Sequence, residues 1–231
     1  MNFDECDGAN LAMFLESKLF SQIKFILHLL PMGRQSLIKE RIRDPKKRQA
    51  WAKQLYPIIQ ENGIRAISMD EMAKALGKSK ATIYKHFDSH KEIVSIAILQ
   101  KLDDLRHFET ILADGDKSYT DRYVLAVASI SRHLGDVSNL FLSDLKEIYP
   151  DLWHLINGFK QFALHVLKRF YTEGIAAGVF EDIDTDILVL SDELFFDALT
   201  NPEFLTKKGI NLKHAFESYF KMRFYGILKR Q

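Results

Sequence analysis

The 231-residue chain holds one cysteine, Cys6, which rules out an intrachain disulfide and a cysteine-built zinc site. Nothing therefore points to an oxidising compartment. Five prolines and eleven glycines leave few breaks, and no alternating apolar–polar runs stand between paired turns, which excludes a sheet-rich fold. Long apolar runs are missing too. The longest, Leu19 to Leu30, is interrupted by Lys24 and His28 and falls short of the roughly 20 apolar residues of a spanning helix. Asp4, Glu5 and Asp7 precede it where a signal peptide carries positive charge. A cytoplasmic protein with no membrane partner is expected. No nucleophile–base arrangement, phosphate-cradling glycine loop or paired-carboxylate motif is present, so no enzyme is expected either. His133, His154 and His165 have no second ligand three or four residues away, and neither a metal nor a cofactor is expected.

What is present is helix. Apolar residues recur at spacings of three and four along most of the chain, predicting an all-α fold. Helices are expected over residues 10–30, 47–61, 89–113, 120–134, 138–148, 151–177, 184–199 and 212–229. Pro150, Gly178 and Asn201-Pro202 mark breaks. Pro57 lies inside the helix of 47–61, where it removes a backbone bond and clashes with the preceding turn, so that helix is expected to bend or reset.

The most informative stretch is residues 68–87, SMDEMAKALGKSKATIYKHF. Ser68 and Glu71 form a capping box at the start of a short helix. Met69, Met72, Ala73 and Leu76 give that helix one apolar face, and Gly77 can end it in a left-handed conformation. Ser79 caps a second helix, anchored by Ile83 and Phe87. Its outward positions are expected to carry Lys80, Thr82, Tyr84, Lys85 and His86. Two short helices with a tight turn form a helix-turn-helix, whose second helix enters the DNA major groove. Ser89 and Glu92 make another capping box, opening a long helix directly afterwards.

Charge supports this reading. Residues 33–91 hold 14 Lys/Arg against 6 Asp/Glu, and the remainder holds 18 against 25. A basic segment joined to an acidic remainder suits a polyanion-binding module beside one that does not bind polyanions. From about Trp51 to Leu99 the chain resembles the tetracycline-repressor (TetR) family of bacterial transcription regulators. The resemblance rests on Gly63, Ser68-Met-Asp-Glu-Met-Ala, Leu76-Gly77, Ser79-Lys80-Ala81-Thr82-Ile83-Tyr84-Lys85-His86-Phe87 and Lys91-Glu92.

In the second helix Thr82 is expected to meet a base edge and Lys85 to reach guanine acceptors. Lys80, Tyr84 and His86 are expected to hold phosphates, together with Ser68 and Lys91 near helix N-termini. Ser79 caps the helix, and Ala81 stands where the family commonly has glycine. Lys78 occupies a turn position that is often apolar in the family, and a phosphate contact is expected there.

Three parts are expected, of which the resemblance implies the last two. Residues 1–45 form an N-terminal extension, residues 46–100 the DNA-binding domain, and residues 101–231 a helical effector-binding and dimerisation domain. The expected partners are double-stranded DNA with a palindromic operator, a second copy through the last two helices, and a small, mostly apolar effector. His133, Trp153, Phe159, Phe162, His165 and Phe170 are the candidates to line the effector pocket, with core packing as the competing role for the aromatics. The helix of 10–30 lies outside the resemblance. Three readings stay open for it: packing on the body, a partner- or membrane-surface helix, or a stretch preceding a true start at Met32. Two rival functions also stay open: a C-terminal domain that only dimerises or binds protein, and a membrane-surface adaptor using residues 10–30.

Overall fold

The computed structural model describes residues 44–228. The expected helix of 10–30, the basic residues before 44, the Met32 alternative and the expected helix end at 229 lie outside them. The described residues form ten α-helices: α1 (Pro45–Asn62), α2 (Met69–Ala75), α3 (Lys80–His86), α4 (His90–Leu112), α5 (Tyr119–Leu134), α6 (Asn139–Ile148), α7 (Pro150–Ala176), α8 (Thr185–Leu199), α9 (Pro202–Lys208) and α10 (Leu212–Ile227). The only extended pairing among the described residues is one antiparallel bridge between Phe180 and Leu228.

α1 begins earlier than expected because Asp44 accepts from the backbone N–H groups of Lys46 and Lys47, with Pro45 in the first turn. It then runs through Pro57 without being reset. Pro57 and Lys53, whose carbonyl would have received the missing N–H, both face solvent, where water can take the vacant acceptor. Trp51, Leu55, Tyr56 and Ile59 supply the buried face. Gly63 closes the helix at φ +82°, and a Cβ there would meet the Asp144 carboxylate of α6 at 2.6 Å. That glycine is needed for both reasons, dihedral angle and close approach.

α2 and α3 take the expected form. Ser68 and Glu71 complete their capping box, and Ser79 accepts the Thr82 N–H. Between them Lys78 donates its N–H to the Ala73 carbonyl and Gly77 to Lys74, a Schellman ending with Gly77 at φ +63°. Ile83 and Phe87 are fully buried against α1 and α4 residues such as Leu55 and Ile93.

α4 is the long connector. Its first turns pack on α1 and its remainder on α5, so one uninterrupted helix passes residue 100. α6 packs against α1, α7 and α9, while α7 pairs with α8 and α10 with α5. The pair Asn201-Pro202, read from sequence as a break, is the N-cap and first residue of α9, a helix the sequence reading missed. A seven-residue helix is too short for apolar periodicity to announce.

Candidate nucleic-acid interface and ligand cavity

α3 presents its outer face because its inner one is anchored. With Ile83 and Phe87 sealed in the core, Lys80, Ala81, Tyr84 and Lys85 are exposed and Thr82 is half-exposed. Lys78, Ser79 and Ser68 are exposed beside them. The Thr82 hydroxyl lies 2.8 Å from that of Ser79, which fixes its direction. Lys80 reaches Asp70 of α2 at 2.8 Å, a pair exposed on both sides and weak enough for a phosphate to replace the carboxylate.

Two expected contacts need correction. His86 is 5 % exposed and sits edge-on to the Trp51 ring with centroids 4.8 Å apart, so it packs α3 on α1 and does not face a phosphate. It follows Ile83 by three residues, and the buried stripe of so short a helix is wide enough to take it in. Lys91 is engaged within the protein. Its ammonium meets Asp151 of α7 at 2.6 Å and lies over the Tyr149 ring. The neighbouring His90 Nδ1 is 3.0 Å from the Tyr149 hydroxyl, so the start of α4 is stapled to the start of α7.

The frame behind α3 is held by a buried ion pair. Glu92, 7 % exposed, receives the Arg48 guanidinium of α1 and the Asp88 N–H. Glu92 was read as half of a capping box. It does bond its N–H to Ser89, but its carboxylate is shared between Asp88 and Arg48 instead of returning to Ser89.

Between α4, α5, α7, α8 and α10 lies a cavity of about 180 Å³. Only carbon surface faces it, from side chains that include Leu105, Phe108, Val127, Ile130, Phe159 and Phe216. Lys101 and Lys160 contribute their stems, and their ammonium groups are taken by Asp136 and Asp197, each at 2.5 Å. Of the six pocket candidates named from sequence, the structure brings only Phe159 to this wall. His165 is exposed, and His133, Trp153 and Phe162 are half-buried away from the cavity. Phe170 is buried behind the wall, in an aromatic cluster with Tyr119, Phe180 and the cavity-lining Tyr123. The other lining residues are mainly aliphatic and phenylalanine side chains with ordinary core spacing. No sequence signal separates a wall from a filled core.

Residues 58–95 match the family profile described as bacterial regulatory proteins, tetR family. From the end of α1 to the start of α4 the chain is thus similar to TetR-family regulatory proteins. The helix-turn-helix regulator YvaF of Bacillus subtilis is 20% identical over 173 residues, which cover 74% of this chain and 90% of YvaF. Among solved structures, a choline-bound regulator from Saccharomonospora viridis shares the fold with a TM-score of 0.64 and 21% identity, over 81% of this chain and 100% of that one. The stearoyl-CoA complex of Bacillus subtilis FadR has a TM-score of 0.54 at 19% identity, covering 75% and 95%. The family is one of transcriptional regulators, which is not an enzyme class.

The protein also carries a bare apolar face. On α8 Ile187, Leu190 and Leu194 are 50–62% exposed at spacings of three and four, and on α10 Met222 and Tyr225 are each 67% exposed. Behind this face Asp192, fully buried, accepts from the Tyr171 and Tyr219 hydroxyls at 2.8 and 2.7 Å, with Arg223 Nε at 3.4 Å. That network ties α8 to α7 and α10. Among the described residues no helix is long and apolar enough to cross a membrane, and no cluster of His, Cys, Asp or Glu has the makings of a metal site.

Proposed function

We propose that this regulator is a homodimeric repressor whose two α3 helices enter successive major grooves of a palindromic operator, and which a small apolar effector releases. The observation that carries the reading is α3 itself: a capped helix sealed by Ile83 and Phe87 on one side, with Lys80, Ala81, Tyr84 and Lys85 outward on the other. Residues 46–100 form the DNA-reading part in this account, and residues 101–231 hold the effector and the partner copy. Leu190 and Leu194 of α8 with Met222 and Tyr225 of α10 supply an unpartnered face of the kind that two copies bury together.

The carbon-walled cavity supports the effector part. It is comparable in size to an apolar cavity that stays dry and binds benzene. It offers no carboxylate to a cation such as the choline held by the Saccharomonospora protein. An uncharged ring or alkyl group fits it best. Its presence also favours an effector over a C-terminal half that only dimerises. Release then follows from population shift: the effector prefers a state whose two α3 helices no longer match the groove spacing.

Base reading and phosphate holding separate by experiment. Lys85→Ala is expected to reduce discrimination between operator and random duplex by about tenfold, on the order of 1–3 kcal/mol for a lost base contact. Lys78→Ala is expected to weaken both duplexes alike and to lower the salt slope by about one ion. Titrations across a salt series read both effects. An equal loss on operator and random DNA in Lys85→Ala removes the base-reading role from that lysine.

A further inference from the structure

Tyr56 belongs to α1, in the part of the chain that reads DNA, yet its ring is one wall of the cavity between the helices of the other part. We infer that Tyr56 is the residue through which cavity occupancy reaches the DNA-binding part, by direct contact with the occupant. This rests on the effector reading above and specifies how that site is coupled to α3.

Three features place Tyr56 in that role. Its ring is packed by Phe141 of α6, edge-on with centroids 6.0 Å apart, and by the Lys101 ammonium of α4, 5.3 Å from the ring centre. It is 8 % exposed, so an occupant pressing on it displaces packed protein and not solvent. One turn further along α1, Gln60 accepts the Ser138 N–H through its side chain and the Ser138 hydroxyl through its carbonyl, both at 2.7 Å. Ser138 is the N-cap of α6. α1 and the start of α6 therefore move as a clamped pair, and the ring at the clamp is the one that faces the cavity.

The consequence for DNA lies further back along α1. Trp51, Leu55 and Ile59 share its buried side with Tyr56, and Trp51 meets His86 and Phe87 at the end of α3. A shift of α1 at Tyr56 is passed to α3 by contacts that are already closed. Close-packed interiors respond to such a push by changing arrangement rather than by compressing. An occupant touching only α5, α7 and α10 would have no comparable handle on α1.

Naphthalene, a neutral two-ring hydrocarbon, is a suitable probe for a carbon-walled cavity of this volume. Its binding to the full chain is followed by fluorescence, and the affinity for a duplex selected from random DNA is measured with and without it. In the native protein saturating naphthalene is expected to weaken the duplex by about tenfold, within the usual range of coupling between sites. Tyr56→Phe keeps the ring and should keep that factor. Tyr56→Leu should still bind naphthalene, while the factor falls below about twofold. Each factor is a ratio within one variant, so altered bare affinity or stability cancels. Full coupling in Tyr56→Leu overturns the inference and leaves the effector reading standing. Naphthalene bound by the native chain with no effect on the duplex overturns both. A parallel arm uses no added molecule: Ala163→Phe puts a ring into the same cavity from α7. It should weaken duplex binding with Tyr56 present and not in the Tyr56→Leu background. Equal weakening in the two backgrounds contradicts the role given to Tyr56.

Discussion

Replacing Leu194 by aspartate is expected to leave monomers at concentrations where the proposed dimer forms in the native chain, and to abolish operator binding with it. Leu194 is 62% exposed, at the end of the α8 stripe begun by Ile187 and Leu190, so in a single copy the substitution meets water and disturbs no core. In a two-fold dimer the same change appears twice in one interface. Desolvating each carboxylate without a partner costs on the order of 2 kcal/mol or more, so the dimerisation constant should fall about 10³-fold. Helix content and thermal unfolding of the monomer should stay close to native, because the side chain lies outside the packed interior. Sedimentation velocity and a duplex titration read the two effects together. A variant that remains dimeric and still binds would move the interface away from α8.

Arg223→Met is expected to give the largest loss of stability that one side chain can cause here without opening a cavity. Asp192 is fully buried, and Arg223 is the cation beside it. Removing one partner of a buried pair leaves a charge stranded, at about 3 kcal/mol even with the two tyrosine hydroxyls still donating. In a domain of this size that corresponds to a fall of about 6–12 °C in Tm.

The loss should depend on pH in a definite direction. Burial raises the Asp192 pKa above the ordinary carboxylate value, while Arg223 and the hydroxyls of Tyr219 and Tyr171 hold it down. Without Arg223 it rises further. A carboxyl whose folded-state pKa is raised contributes stability that is full below its unfolded pKa and is lost as pH rises through the folded one. The gap between variant and native chain should thus be widest at neutral pH and narrow towards pH 4. Thermal unfolding at matched protein concentration tests this, since dimerisation makes Tm depend on concentration. A gap that stays constant from pH 7 to pH 4 would show that lost packing, and not a stranded charge, is what Arg223 prevents.

Much of this architecture was legible in the sequence because it is local. The capping box of Ser68 and Glu71, the left-handed Gly77 and the Ser79 cap act within four residues of themselves, and the structure forms each one. Exposure along α3 was legible for Lys80, Tyr84 and Lys85 and failed at His86, where the Trp51 ring of another helix decides the outcome. The failure at Lys91 is of the same kind. Its partner Asp151 lies sixty residues on, and no spacing rule connects the two.

The cavity was the least legible feature. Histidines and aromatics drew attention as pocket candidates because they carry chemistry, whereas the wall consists mainly of Leu, Ile, Val and Phe at the same spacing as any core. Whether such residues meet or leave a gap depends on how far apart five helices settle. Tyr56 shows the limit best: nothing in residues 45–62 indicates that one ring of α1 will reach between helices that begin more than thirty residues later.

In the proposed regulator α3 is presented twice per assembly to the major groove of duplex DNA. Selection of bound duplexes from fragmented genomic DNA at moderate salt, with the oligomeric state of the same preparation measured, tests it most directly. The expected result is a dimer that enriches sites containing an inverted repeat, with half-sites centred about one helical turn apart or a multiple of it. A monomer that enriches no sequence over the input DNA would contradict it.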